Sequence, residues 1–557
     1  MHFSTLAKRG TLLLFFAIVA FYFYGLGHLP LVGPDEPRYA QVAREMFLRG
    51  DLITPTLGGH TWFEKPALLY WMIIASFKLF GVTEWSARLP SAISGVLTVA
   101  AVFVVGRQLE VVKDEDHKLQ GYAFWSAIAA ATTIGIVVFS QAVSFDIILT
   151  MTTTWALAFY ILHNLQEYSN VSEKPRGWLL AGFYIFIGLS LLAKGLVGIV
   201  MPVGVIGFYH ILQRELPGRK IFISVFWGLP LALIVAGIWY APVIWRHGWL
   251  FIDQFFIQHH FARYISNKYH HSQPVYFYLL VLPLLALPWT VFLISGLLQF
   301  KSRLWQTGAA PGDRATQNSS RLMTFALAWF IFPLVFFSFS GSKLPGYVLP
   351  MLPAAALIVG GQLIPLRSGS ASWALRLTAA FFLLFALGTL AYSWRTGNLW
   401  LTTALLLAAP LFASGSFLFL FRRKPAASVV FMAAMTFVAL IVVMYRVAPT
   451  FADHQSSRRL LQLADAHGYS QTAIFGMQRS DRTPEFYAAG RIVYGVDGEP
   501  IMYEGPNQVI EECRKRKEAL LTFVPVSEVK QLTEMSSAQT EVLGDNVRYA
   551  IVAVRAR

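Results

Sequence analysis

The sequence predicts an all-α polytopic membrane protein of about thirteen transmembrane helices, with juxtamembrane helices in the first outer loop and a small soluble α/β domain at the C-terminus. Three observations predict it. Hydrophobic residues make up 56% of the 557 and the mean hydropathy is +0.53, while charged residues reach only 13%, roughly half of what an ordinary soluble protein carries. Apolar runs long enough to cross a ~30 Å hydrocarbon core recur along the first 448 residues. From residue 449 onward 13 Lys and Arg balance 14 Asp and Glu, whereas 32 face 16 before it. A large soluble enzyme is excluded. The formal charge of +15 would suggest nucleic acid in a soluble chain, but here it belongs to span ends or a cavity.

In order, the runs fall near 11–30, 88–106, 121–140, 147–163, 178–193, 195–212, 221–243, 275–298, 322–340, 347–364, 376–393, 398–421 and 426–447. Lysines and arginines in short loops set orientation. With Lys8 and Arg9 cytoplasmic, Arg107, Lys174, Arg214, Lys301, Arg367 and the run Arg422-Arg423-Lys424 fall on the same side. An odd number of spans then carries loops 31–87, 244–274 and 341–347, and the domain 449–557, to the opposite, active-site face. The first run lacks a small-residue cleavage site and reads as an uncleaved anchor. The single cysteine, Cys513, rules out an intrachain disulfide.

In the tail, Ser457 to Ala466 is amphipathic and stops at Gly468, and Asn507 to Lys517 is a charged helix. Thr472 to Phe475, Arg491 to Tyr494 and Ala519 to Phe523 read as strands. No phosphate loop or nucleophile elbow appears there, so the tail reads as structural or accessory.

Charges that should carry chemistry lie at one face. Asp35, Glu36 and Arg38 follow the first span, with Asp35 placed to cap a helix in which Pro37 lies early. Glu64 and Lys65 stand beside Trp62 and Phe63. Asp146, Lys194 and Lys343 sit singly at the outer ends of spans, where a bystander charge is costly. With Arg38 and Lys65, the two lysines build a positive cavity suited to a lipid phosphate. Five of the thirteen histidines, His247, His259, His260, His270 and His271, fall in loop 244–274. A zinc-like ion there would take Glu64 and His260, although no tight metal-ligand spacing supports it. Interfacial histidines stacked on tyrosines explain the cluster equally well.

The strings Pro34-Asp35-Glu36-x-Arg38-Tyr39-Ala40, Arg44-Glu45-Met46, Gly50-Asp51, Phe63-Glu64-Lys65-Pro66 and Tyr70-Trp71 resemble the integral-membrane glycosyltransferases that use polyprenyl-phosphate sugars, the GT-C superfamily. Ser144-Phe145-Asp146, Ala193-Lys194-Gly195 and Ser340-Gly341-Ser342-Lys343-Leu344 with Tyr347 fit in order and spacing. The resemblance is strongest to those that move 4-amino-4-deoxy-L-arabinose to lipid A. It implies catalytic parts for Asp35, Lys65 and Asp146, and substrate-binding parts for Glu36, Arg38, Tyr39, Glu64, Lys194, Arg263, Lys343 and Tyr347. The family's Glu-His pair in the histidine loop here reads His259-His260, which weakens a metal at Glu64 and His260.

The resemblance further implies an undecaprenyl-phosphate sugar donor, a lipid A acceptor, no required cofactor, a monomer in the bacterial inner membrane, a periplasmic active site, and resistance to polymyxin and cationic peptides. Two alternatives stand beside it. A related transferase would move mannose or another sugar to protein or another lipid. A flippase or transporter is disfavoured by the long first loop, the soluble tail and the lack of paired broken helices.

Overall fold

The computed structural model describes residues 16–111, 121–168, 177–262, 273–304, 314–364, 373–421, 424–478 and 482–557. The chain divides into two compact units. One comprises Met1–Tyr24, Glu64–Leu69 and Ser91–Val443; the other comprises Gly25–Phe63, Tyr70–Pro90 and Met444–Arg557. Most of the first outer loop therefore belongs to the same unit as the tail.

In the first unit, among the described residues, nine helices are long and apolar enough to cross a membrane, or up to eleven if each of two bent pairs is one span. The run expected near 195–212 is the shorter apolar helix Val197–Gln213. Of the first expected span, residues 16–23 are described and helical. Hydroxyls inside these helices answer to their own backbone. Thr150, Thr152, Thr153 and Thr154 of helix Phe145–Tyr168 each donate to the carbonyl four residues back, at 2.6–3.0 Å, which satisfies them where water is absent.

The two bent pairs correct one expectation, since broken helices are present. Tyr122–Thr132 turns 57° into Ile134–Ser140, and Phe277–Leu285 turns 117° into Thr290–Gln299. Each break satisfies the other: the Ile134 N–H donates to the Leu287 carbonyl at 2.9 Å, and the Trp289 indole donates to Thr132 Oγ1 at 2.8 Å. Freed backbone groups inside a membrane need such partners.

In the second unit, a five-stranded mixed sheet runs in the order Met502–Tyr503, Ile474–Met477, Leu520–Pro525, Tyr549–Ala556, Ala538–Asp545. The first two pairings are parallel and the rest antiparallel. Alternation sends Leu521, Phe523, Ile551 and Ala553 to one face, under Leu460, Leu461 and Ala464 of helix Arg458–Ala466. Val524, Val552 and Val554 go to the other, with Val509 and Ile510 of helix Pro506–Arg516. Four expected elements thus appear within two residues of their places. Arg491 to Tyr494 forms only isolated bridges, and the C-terminal hairpin was not expected.

The first loop contributes helix Asp35–Arg49, closed by Gly50 in the left-handed conformation. A hairpin of Thr56–Leu57 and His60–Thr61 follows. Glu45 holds it, accepting the Thr56 hydroxyl and the Gly58 N–H at 2.7 Å each and the Gly59 N–H at 3.2 Å. Gly58 has φ +61, and a Cβ there would overlap the Tyr494 ring, so only glycine turns the chain at this place.

Candidate active site

In the first unit the structure brings Asp146, Lys194 and Tyr347 together. Asp146 lies in the first turn of helix Phe145–Tyr168, its N–H received by Ser144 Oγ at 3.1 Å. Lys194 ends helix Gly177–Lys194, where Gly195 at φ +67 stops the helix and a cation suits the helix dipole. Its ammonium donates to Asp146 Oδ1 and stands 4.5 Å from the centre of the Tyr347 ring. Both charges are mostly covered, with 15% and 19% of the side chains exposed.

Tyr347 rides on the 3₁₀ helix Pro345–Met351, which Pro345 starts after an extended Leu344. Just before it, Lys343 is buried and donates to the carbonyls of Gln273 at 2.8 Å and Ser340 at 2.7 Å. Two dipoles, and no ion-paired carboxylate among the described residues, hold this ammonium. Glu64 and Lys65 pair at 3.0 Å and are nearly buried.

Gly346 lies so near Asp146 that a Cβ would run into the carboxylate. Gly346→Ala is expected to displace Asp146 from Lys194 and lower turnover roughly tenfold with little change in thermal stability. Steady-state rates and a melting curve check this, and unchanged rates refute it.

In the second unit, Asp35 is the first residue of its helix and Pro34 the cap, so the expected capping role for Asp35 is corrected. Asp35 pairs with Arg38 one turn on and keeps half its side chain exposed. Glu36 is instead buried and committed. Arg88 donates to both of its oxygens, at 3.0 and 2.8 Å, and to the carbonyls of Leu26, Leu29 and Pro30 at 2.7–2.8 Å. Glu36 also receives the Val32 N–H at 2.9 Å. Tyr39 is buried, with its ring 5.3 Å from the Arg38 guanidinium.

The same unit ties the loop to the tail. The Leu31 N–H donates to the Tyr487 hydroxyl at 2.7 Å, and that hydroxyl reaches Glu84 at 3.2 Å. Arg44 donates to the Phe486 carbonyl at 3.2 Å. Burial pushes the Glu485 carboxyl up to about 7, against the opposing pull of Arg482 and Arg38.

Arg263 and the side chain of His260 lie outside the described residues. Among those described, no group of three His, Cys, Asp or Glu is placed to hold a metal ion, and Glu64 is engaged by Lys65. Arg88 was missed. It was read as the edge of an apolar run, although Glu84 one turn earlier and its place inside that run were signals that it is buried and paired.

Known proteins resemble this chain in sequence and in fold. A family model described as dolichyl-phosphate-mannose-protein mannosyltransferase matches residues 64–245. An undecaprenyl phosphate-alpha-4-amino-4-deoxy-L-arabinose arabinosyl transferase 1 of Pseudomonas fluorescens is 31% identical over 361 residues, 63% of this chain and 59% of the relative. A transferase of the same description from Pseudomonas aeruginosa is 32% identical over 389 residues, 68% of this chain and 65% of that one. The match thus spans about three fifths of these relatives' length. The crystal structure of ArnT from Cupriavidus metallidurans bound to undecaprenyl phosphate superposes with a TM-score of 0.76 at 24% identity, covering 98% of both chains. Its apo state gives 0.74. The fold is therefore that of this multi-pass membrane protein.

Proposed function

The chain is related in sequence and in fold to the polyprenyl-phosphate-dependent integral-membrane glycosyltransferases, and from that premise we propose that it moves 4-amino-4-deoxy-L-arabinose from undecaprenyl phosphate to phosphate groups of lipid A. The observation that carries the reading is Lys343, a buried ammonium held only by two carbonyls among the described residues. A lipid phosphate supplies the missing anion. The positive-inside pattern supports reaction on the face opposite the cytoplasm, which for a bacterial inner membrane is the periplasmic one.

Transfer breaks the anomeric C–O bond through an oxocarbenium-like state and leaves charge on the carrier phosphate. Lys65, Lys194 and Lys343 stabilise that charge, and a phosphate so held needs no general acid; Arg38 is assigned a part in receiving the carrier phosphate. The acceptor phosphomonoester has a second pKa of about 6 and is its own nucleophile near neutral pH. Asp35, paired with Arg38 and half exposed, orients the acceptor or offsets positive charge on the sugar, giving direct inverting displacement. Asp146 serves the sugar amine. Glu36 acts by holding Arg88, while Tyr39, Glu64 and Tyr347 shape the cation sites. Arg263 is assigned a part in substrate binding. A zinc-like ion on Glu64 and His260 would have to compete with Lys65, and no step depends on it.

The test is the lipid A mass spectrum of a host that makes the aminoarabinose donor but lacks its own transferase. The native chain is expected to add one or two aminoarabinose masses and to raise resistance to cationic peptides, by lowering the negative charge of the outer surface. Asp35→Asn is expected to cut the added mass at least a hundredfold. Near-full modification by the variant overturns the assignment of Asp35. The mannosyltransferase family match favours a second reading, a hexose moved to protein, and a hexose mass on a membrane protein with unmodified lipid A would decide for it.

A further inference from the structure

The first loop and the tail meet around one indole. Trp62 leaves the hairpin with its backbone N–H donating to the Pro55 carbonyl at 2.8 Å. The Arg38 guanidinium carbon lies 5.4 Å from the centre of its ring and that of Arg482, a tail residue, lies 5.0 Å from it. Two guanidiniums on one ring repel unless an anion is near. Glu485, whose side chain is fully buried, receives Arg482 at 3.0 Å, and Glu499 takes the same guanidinium from its exposed side. Arg38 also lies within the electrostatic reach of Glu485.

A cation over a ring face is attracted to it, and a planar guanidinium holds its orientation over a ring better than an ammonium does. From this stack we infer that Arg482 and Glu485 are positioning residues of the transfer reaction: acting through Trp62, they fix the Arg38 guanidinium in the orientation that receives the carrier phosphate. The inference rests on the reading of Arg38 as a phosphate ligand. It gives the tail a task in donor binding, exercised through Arg38.

Glu485 faces Arg482, Arg38, Glu45 and Tyr494. Its folded value is raised, so the folded unit favours the protonated form, and this carboxyl's contribution to stability is lost as pH rises through about 7. The ionised form, which holds Arg482 most strongly, is present on the alkaline side. The hold on Arg38 therefore tightens from pH 6 to pH 8, while the unit itself becomes slightly less stable.

The experiment is titration of undecaprenyl phosphate into the full chain in detergent, with acceptor KM measured in parallel. Arg482→Met is expected to weaken carrier binding about tenfold and leave acceptor KM within twofold. Arg482→Lys keeps the pair with Glu485 but not the stack, and should recover only part of the loss. Added to Arg38→Met, Arg482→Met should cost nothing more, because its effect passes through Arg38. Equal losses in carrier binding and acceptor KM, or losses that multiply in the double variant, overturn the inference. If Arg38→Met alone leaves carrier binding intact, the phosphate role of Arg38 fails and takes this inference with it. For Glu485→Gln, the ratio of its Kd to that of the native chain cancels the probe's own ionisation. That ratio should be largest at pH 8 and near one below pH 6; a flat ratio removes Glu485 from the scheme.

Discussion

Lys194→Met is expected to lower sugar transfer by a hundredfold to a thousandfold, the usual cost of removing a group that stabilises developing charge. Two effects compete to explain such a loss. Lys194 neutralises Asp146, and both are largely buried, so removing the ammonium strands a carboxylate and disturbs the local packing. Lys194 also lies over Tyr347 and supplies positive charge to a phosphate. The double variant Asp146→Asn/Lys194→Met separates them. It carries no stranded charge, so its melting temperature should return to that of the native chain. If the double variant transfers as well as Asp146→Asn alone, Lys194 is only the partner of Asp146; the expected result is a recovered fold with transfer well below that of Asp146→Asn alone. Initial rates with purified donor and lipid A, beside a melting curve for each variant, decide the matter.

Arg88→Met is expected to destabilise the unit that contains the first loop by about 3–5 kcal/mol, the cost of leaving a buried charge without its partner. Glu36 would keep its burial and lose both guanidinium bonds, and the carbonyls of Leu26, Leu29 and Pro30 would lose their donor. Hydrogen exchange should quicken over residues 26–49, with activity falling because Asp35 and Arg38 begin the helix that Glu36 anchors. Arg88→Met/Glu36→Leu removes both charges and should regain much of the stability. Exchange in Arg88→Met no faster than in the native chain would show that the pair does not hold the loop.

The membrane helices were legible because their signal is local: each apolar run announces itself within about twenty residues. The charged side chains Asp146, Lys194 and Lys343 stood out for the same reason, each alone at the end of a run. What the sequence concealed was pairing across distance. Glu36 looked like a ligand because it adjoins Asp35, yet its partner Arg88 lies 52 residues on. Trp62 showed only its neighbours Glu64 and Lys65, while its second guanidinium comes from Arg482, 420 residues on. The bends at Thr133 and between Leu285 and Thr290 escaped because the broken backbone groups are satisfied by another segment, which no local pattern reports. The C-terminal hairpin was hidden by the register shift between Val542 and Gly544, which interrupts the alternation that marks a strand.

The bond from Leu31 to Tyr487 joins residues 456 positions apart. At a synthesis rate of roughly 5–20 residues per second, the first loop emerges about 20–90 s before the tail that completes its packing. Through that interval helix Asp35–Arg49 has its own hairpin, Phe77 and Arg88 beside it, but not the tail. The loop's final form is therefore an event of late biogenesis, and a ribosome that stops before the tail is made would leave a membrane-inserted chain whose first loop has never reached its finished shape.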